Sequence, residues 1–205
     1  TLLADEPGFV LGWRQLAAWY DSAGRHRECL EASEQFVKLE SANPLAYVYR
    51  GEARRSLGDR RGAQADFAKA FEIDPSFEAA GMNLIAEQLA TGDVSGAARA
   101  LATLRENADG PLVRLRAVQV ACRQGDREAA TAHFRELAPE ASRGLLKEAL
   151  TASDEAGWTA HATLELRALA FAEAANPILA GIWAERTAAS GVFDSISDRL
   201  PELLE

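Results

Sequence analysis

Apolar residues recur at steps of three and four through most of the chain, with polar residues between them. Around Gly58, Tyr47 pairs with Gly51 and Ala53 with Leu57 on one side, and Ala63, Phe67, Ala70 and Phe71 follow on the other. Such steps place each set on one face of an α-helix, so two amphipathic helices meeting at Gly58 are predicted. The arrangement repeats. Gly24, Gly58, Gly92, Gly125, Gly157 and Gly191 stand 34, 34, 33, 32 and 34 residues apart. Five residues after each come Cys29, Ala63, Ala97, Ala130, Ala162 and Ile196, and nine after come Ser33, Phe67, Leu101, Phe134, Leu166 and Leu200. A period held in several columns over six copies marks a repeat architecture.

The punctuation fits a helical hairpin. Glycine adopts the left-handed conformation that ends a helix at almost no cost. Asp59, Asp93 and Asp126 directly follow three of these glycines, where a carboxylate caps the next helix. Pro44, Pro111 and Pro177 lie fourteen residues before their glycines, at the start of a first helix, where the missing N–H costs nothing. Two helices of about 12–15 residues, ~20 Å long, cannot enclose their own apolar faces, so each hairpin must pack on the next. Small residues such as Ala17, Gly51, Ala63 and Ala97 are expected where helix backbones approach closely.

The second copy carries a resemblance. It reads Pro44-Leu-Ala-Tyr47, Gly51, Leu57-Gly58-Asp59, Ala63, Phe67, Ala70 and Ile73-Asp74-Pro75, which resembles the tetratricopeptide repeat family. The first copy shares Trp13, Leu16, Ala17, Tyr20 and Gly24 with that pattern, and the later copies hold it increasingly by register alone. The resemblance implies an all-α fold, a right-handed α-α superhelix of antiparallel hairpins. Residues 10–138 read as four clear repeats and 139–205 as two divergent ones, with Pro201 set to kink or end the last helix. Residues 1–9 read as the tail of a preceding repeat, so the sequence is expected to be a piece of a longer protein.

Composition narrows the function. The 205 residues hold 31 acidic and 22 basic side chains, a net charge of -9, and neither half is basic. A nucleic-acid partner is not expected, because neutralising phosphates needs clustered Lys and Arg. No apolar run approaches the ~20 residues that span a bilayer, so no membrane partner is expected. Two cysteines, Cys29 and Cys122, form neither a disulfide framework nor a metal spacing, and His26, His133 and His161 are scattered. No metal, cofactor or catalytic residue is expected, and a reducing, cytoplasmic setting fits the cysteines.

The resemblance implies that first helices line a groove that binds an extended peptide or a helix of a partner. The stripe ten, six and three residues before each glycine carries Arg14, Ala18 and Asp21, then Val48, Glu52 and Arg55, then Met82, Ala86 and Leu89. It continues with Leu115, Gln119 and Cys122, beside which stands Arg123, then Lys147, Thr151 and Asp154, then Gly181, Glu185 and Ala188. Its middle is apolar, and Glu52, Arg55, Met82, Ala86, Leu89, Leu115, Gln119 and Arg123 are the candidate binding residues. Met82, Leu89 and Leu115 admit a second reading, in which they pack neighbouring first helices together. The lysine–asparagine clamp with which some family members hold a peptide's terminal carboxylates is absent. Arg50, Arg54, Arg55, Arg60 and Arg61 either receive an acidic or phosphorylated segment or form a solvated face balanced by Glu52, Asp59 and Asp66. Cys29 sits in a packing column, Trp13 and Tyr20 on the packing face, and Trp19 off the stripe.

The expected function is therefore a protein–protein interaction scaffold without catalysis by this segment. One alternative is an accessory or docking domain of a larger multidomain enzyme, with another domain of the same chain as partner. A helical-repeat RNA binder is the weaker one, because no polar pair repeats along the groove face.

Overall fold

The computed structural model describes residues 8–172 and 177–189. Eleven α-helices make up the described residues: α1 (Val10–Ser22), α2 (His26–Leu39), α3 (Pro44–Ser56), α4 (Arg60–Ile73), α5 (Glu78–Thr91), α6 (Val94–Arg105), α7 (Pro111–Gln124), α8 (Arg127–Leu137), α9 (Arg143–Glu155), α10 (Thr159–Ala170) and α11 (Pro177–Ala189). The expectations for Thr1–Pro7, Gly191, Ile196, Leu200 and Pro201 lie outside the described residues.

The hairpin turns form as the glycine register predicts. Gly24, Gly58, Gly92, Gly125 and Gly157 all have positive φ, from 67° to 89°. The residue after each then donates its N–H to a carbonyl five residues back, as Asp59 does to Arg54 at 2.9 Å and Asp93 to Gln88 at 2.8 Å. This closes the first helix and aims the chain back along it. The three aspartates cap as expected: Asp59 accepts from Gly62 N, Asp93 from Gly96 N and Asp126 from Ala129 N, each at 2.9 Å. Pro44, Pro111 and Pro177 each open a first helix.

The chain divides into two compact units, Thr1–Asp109 and Gly110–Glu205. In the first, hairpins α1–α2, α3–α4 and α5–α6 stack in order, α2 packing on α3 and α4 on α5. Its core holds Ala17, Cys29, Phe36, Ala63, Phe67, Ile85, Ala97 and Leu104, all fully buried. The small columns have the role read from the sequence. A Cβ on Gly51 would stand 2.7 Å from the ring of Phe67, and one on Gly81 would stand 2.8 Å from that of Phe71. Those distances are inside van der Waals contact, so the glycines let α3 and α5 seat on the second-helix aromatics.

In the second unit α7 pairs with α8, α9 packs beside α7, and α10 pairs with α11. Phe134, Leu137, Leu146, Leu150, Leu166, Leu179, Ile182 and Trp183 form one apolar cluster there. Trp13 and Tyr20, expected in the core of the first unit, are only half-buried. Trp19 is 55% exposed, its indole 5.2 Å from the ring of Tyr20 and 5.6 Å from the Arg25 guanidinium.

Candidate functional site

In the first unit, α3 and α5 present the second and third rows of the stripe. Glu52 and Arg55 are one helical turn apart on α3, and Asn83 of α5 joins them. Arg55 donates one Nη to a Glu52 carboxylate oxygen and the other to Asn83 Oδ1 at 3.1 Å, while Asn83 Nδ2 donates to the second Glu52 oxygen at 2.9 Å. The three groups close a ring in which each side chain holds the other two. Burial pushes the Glu52 carboxyl above its ordinary range, against the opposing pull of Arg55. The Arg55 guanidinium also lies 5.7 Å over the ring of Phe67 and 4.0 Å from Glu87. Glu87 is 2% exposed and takes its nearer cation from Arg60 at 3.3 Å.

Beside this polar ring, Met82, Ala86 and Leu89 stand half-buried along α5, with part of each surface facing solvent. Tyr49 of α3, half-buried in the same column as Asn83, faces the preceding hairpin instead, where burial raises its hydroxyl and the charges of Arg14 and Asp21 act on it in opposite directions. Asn83 and Tyr49 were legible in principle: both lie nine residues before their glycine, one position along from the stripe.

The fourth row falls in the second unit and behaves differently. Leu115 is 2% exposed and belongs to that unit's apolar cluster, so for this residue the packing reading replaces the binding one. Its neighbour in the stripe, Cys122, is likewise buried, its Sγ 3.9 Å from Ser153 Oγ. Gln119 is half-buried and accepts from Arg116 Nη1 at 2.6 Å. Arg123 is exposed, 3.6 Å from Glu155. Further along, Glu185 of α11 is bridged by Arg143 and by Lys147 of α9, at 3.2 Å for the lysine. The first-helix face of the second unit is thus charged and internally paired, whereas α5 of the first offers apolar surface.

The arginine cluster resolves into partners. Arg50 donates through Nε and Nη2 to Asp66, and Arg54 through Nη1 at 2.7 Å, on a carboxylate that is only 2% exposed. With Arg55 on Glu52 and Arg60 on Glu87, four of the five arginines are committed within the first unit. The solvated-face reading is corrected at Asp66, which lies inside the hairpin rather than on its surface.

No candidate nucleophile emerges from the thiols. Cys29 is fully buried, donates to Ala17 O at 3.4 Å, and is pushed up to about 12 by burial, with Asp21 and Glu52 adding to the effect. Burial also raises Cys122. Among the described residues no group of three His, Cys, Asp or Glu side chains is placed to hold a metal, and no helix is long and apolar enough to cross a membrane.

No family model matches the chain, and no curated protein matches its sequence. Solved structures do match its coordinates. MamA is 18% identical over 76% of this chain and 79% of its own, with a TM-score of 0.60. TTC0263, a thermophilic TPR protein in Thermus thermophilus, is 16% identical over 87% of this chain and 99% of its own, with a TM-score of 0.61. PilW, a widely conserved type IV pilus biogenesis factor, is 16% identical over 88% of this chain and 85% of its own, with a TM-score of 0.64. Likeness at this identity is a likeness of fold, and it agrees with the hairpins, the glycine turns and the small-residue columns. The chain has the all-α, repeated-hairpin fold of the tetratricopeptide repeat proteins.

Proposed function

We propose that the chain is a protein-binding module whose first unit holds a peptide or helix of a partner against the α3–α5 face, with no chemistry of its own. One observation carries this: partly exposed Met82, Ala86 and Leu89 run beside the Glu52–Arg55–Asn83 ring. An apolar lane bordered by fixed hydrogen-bonding groups suits a segment that buries side chains and orients its main chain. Methionine adapts to differently shaped side chains, and the ring is already organised, so little ordering cost falls on binding. The occurrence of the fold in structures such as the APC/C hetero-tetramer Cut9–Hcn1, 15% identical with a TM-score of 0.62, supports a protein partner over a small molecule.

The test is affinity capture from the source cells with the wild-type chain and with Met82→Glu/Leu89→Glu, both checked by circular dichroism. Captured proteins are then titrated individually. A partner that binds the wild type and is weakened at least about tenfold by the folded double variant supports the reading, since tenfold corresponds to one well-buried contact. A partner held equally by both places binding elsewhere. Leu115→Glu serves as the contrasting control, expected to unfold the second unit rather than to remove a contact.

A further inference from the structure

The second unit carries an apolar surface that the repeat pattern does not call for. On the second helices, the positions seven and fourteen residues after the hairpin glycine face solvent in each of the first four copies. They hold Glu31, Ala65, Arg99 and Ala132, and Lys38, Glu72, Glu106 and Pro139, all exposed. The fifth copy instead places Leu164 and Phe171 there, 63% and 46% exposed. Together with Ala168 and Arg167 they line a shallow notch of about 310 Å³ on α10, at the lower end of the ~300–1,000 Å³ of ligand clefts. The Phe171 ring is braced edge-on against Trp183 at 5.3 Å, so one wall of the notch is fixed.

Arg167 decides what fits. Its column-mate Arg135 on α8 is spent on Glu165 through three hydrogen bonds of 2.7–3.0 Å. The Arg167 guanidinium, half-buried among the apolar walls, has no ion pair or hydrogen bond among the described residues. A cation held beside exposed leucine and phenylalanine favours an anion that arrives with apolar groups attached. We propose that this α10 notch is a second docking site, independent of the α3–α5 face. Its occupant is a partner peptide that sets large apolar side chains on Leu164 and Phe171 and an adjacent Asp or Glu on Arg167.

The probe is a random 16-residue peptide library displayed on phage, panned on the full chain, on Leu164→Ser and on Arg167→Glu. Leu164 is exposed and Arg167 half-buried, and circular dichroism verifies each fold. The expected consensus pairs two large apolar residues with an acidic one. Those peptides should bind Leu164→Ser at least about tenfold more weakly, and Arg167→Glu should select Lys or Arg in place of the acid. The proposal is overturned if panning enriches nothing, if the enriched peptides ignore both substitutions, or if the acidic preference survives Arg167→Glu. A synthetic peptide of residues 190–205, itself acidic and apolar, is added as competitor. Competition matching that of the selected peptides assigns the notch to the chain's own segment and overturns an external partner.

Discussion

The two units share one register and hold their hairpins together in opposite ways. In the first, carboxylates are driven inside: the side chains of Asp66 and Glu87 are each 3% exposed, and both are satisfied by arginines from neighbouring helices. In the second, the acids stay near solvent. Glu185 is 53% exposed between Arg143 and Lys147, and Asp154 is 36% exposed against Arg186. Cohesion there falls to the apolar cluster around Leu146, Leu166 and Trp183. A buried ion pair adds little net stability over an apolar replacement, but removing one partner is costly because it strands the other. The same repeat therefore yields one unit sensitive to single charge deletions and another sensitive to cavities.

The largest effect that would sharpen this contrast is Asp66→Ala. It removes the carboxylate on which three donors from Arg50 and Arg54 converge, leaving Arg54 only a distant one, Asp59 at 3.9 Å. The expected loss is about 3–5 kcal/mol, toward the lower value because the two arginines keep 19% and 25% of their side chains exposed. Urea denaturation followed by hydrogen exchange in α3 and α4 measures it. A loss below about 1 kcal/mol, the scale of an exposed pair, would mean that the arginines relax into solvent freely and that the charge network is not what distinguishes the first unit.

Of similar size across its full range, and smaller at any one pH unit, is a pH effect confined to the first unit. Cys29 is raised from 9.0 to about 12 by burial. An acid whose folded pKa lies above its unfolded value binds more protons when folded. Its contribution is fully present below the unfolded pKa and is lost as pH rises toward the folded one. Between about pH 9 and 12 the wild type should lose stability relative to Cys29→Ala by about 1.4 kcal/mol per pH unit. Parallel urea titrations of the two proteins from pH 8 upward check this. A difference that stays constant with pH would show the thiol to be solvated.

Smaller again is Gly51→Ala. Alanine favours a helix interior over glycine by about 1 kcal/mol, but its Cβ would press on a fully buried Phe67 ring at 2.7 Å. Overpacking costs of about 1–3 kcal/mol outweigh the propensity gain, so a net loss is expected in the denaturation midpoint. Ala97→Leu, in the same class of small column, should cost about as much. A stabilised Gly51→Ala would mean that α3 can shift away from α4.

What could be read without coordinates follows from which signals are periodic. The hairpins were legible because glycine, aspartate and proline each mark a fixed point of the turn, and because Ala63 and Phe67 alternate small and large at one face. The α3 stripe was legible because Glu52 and Arg55 fall in fixed columns, six and three residues before Gly58. On α7, by contrast, Val113, Leu115, Ala117, Val118, Val120, Ala121 and Cys122 are all buried. A helix apolar on nearly every side gives periodicity nothing to choose a face by, which is why Leu115 admits both a groove and a packing reading until its burial is known. Asp66 and Glu87 escaped because a carboxylate reads as surface until its arginines are located in space. The α10 notch escaped too: Leu164 and Phe171 look like core residues on an amphipathic helix until the register shows their columns to be solvent-facing elsewhere.

The smallest expected effect is the second unit's counterpart of Asp66. Glu165 receives Arg135 in a two-pronged pair with a shortest distance of 2.7 Å, better geometry than several contacts in the first unit. Yet the arginine is 58% exposed and the glutamate, at 18%, still reaches water, so solvent screens the pair, and ordering two long side chains offsets much of the attraction. Exposed pairs contribute about 0.2–1 kcal/mol, and salt reduces that further. A double-mutant cycle of Arg135→Ala and Glu165→Ala should return a coupling within that range that shrinks on going from about 0.05 to 0.5 M salt. The cycle of Arg54→Ala and Asp66→Ala should return a larger coupling that barely moves, because its carboxylate is out of reach of the ions. Equal couplings with equal salt dependence would erase the distinction between the units, whatever the geometry of the two pairs.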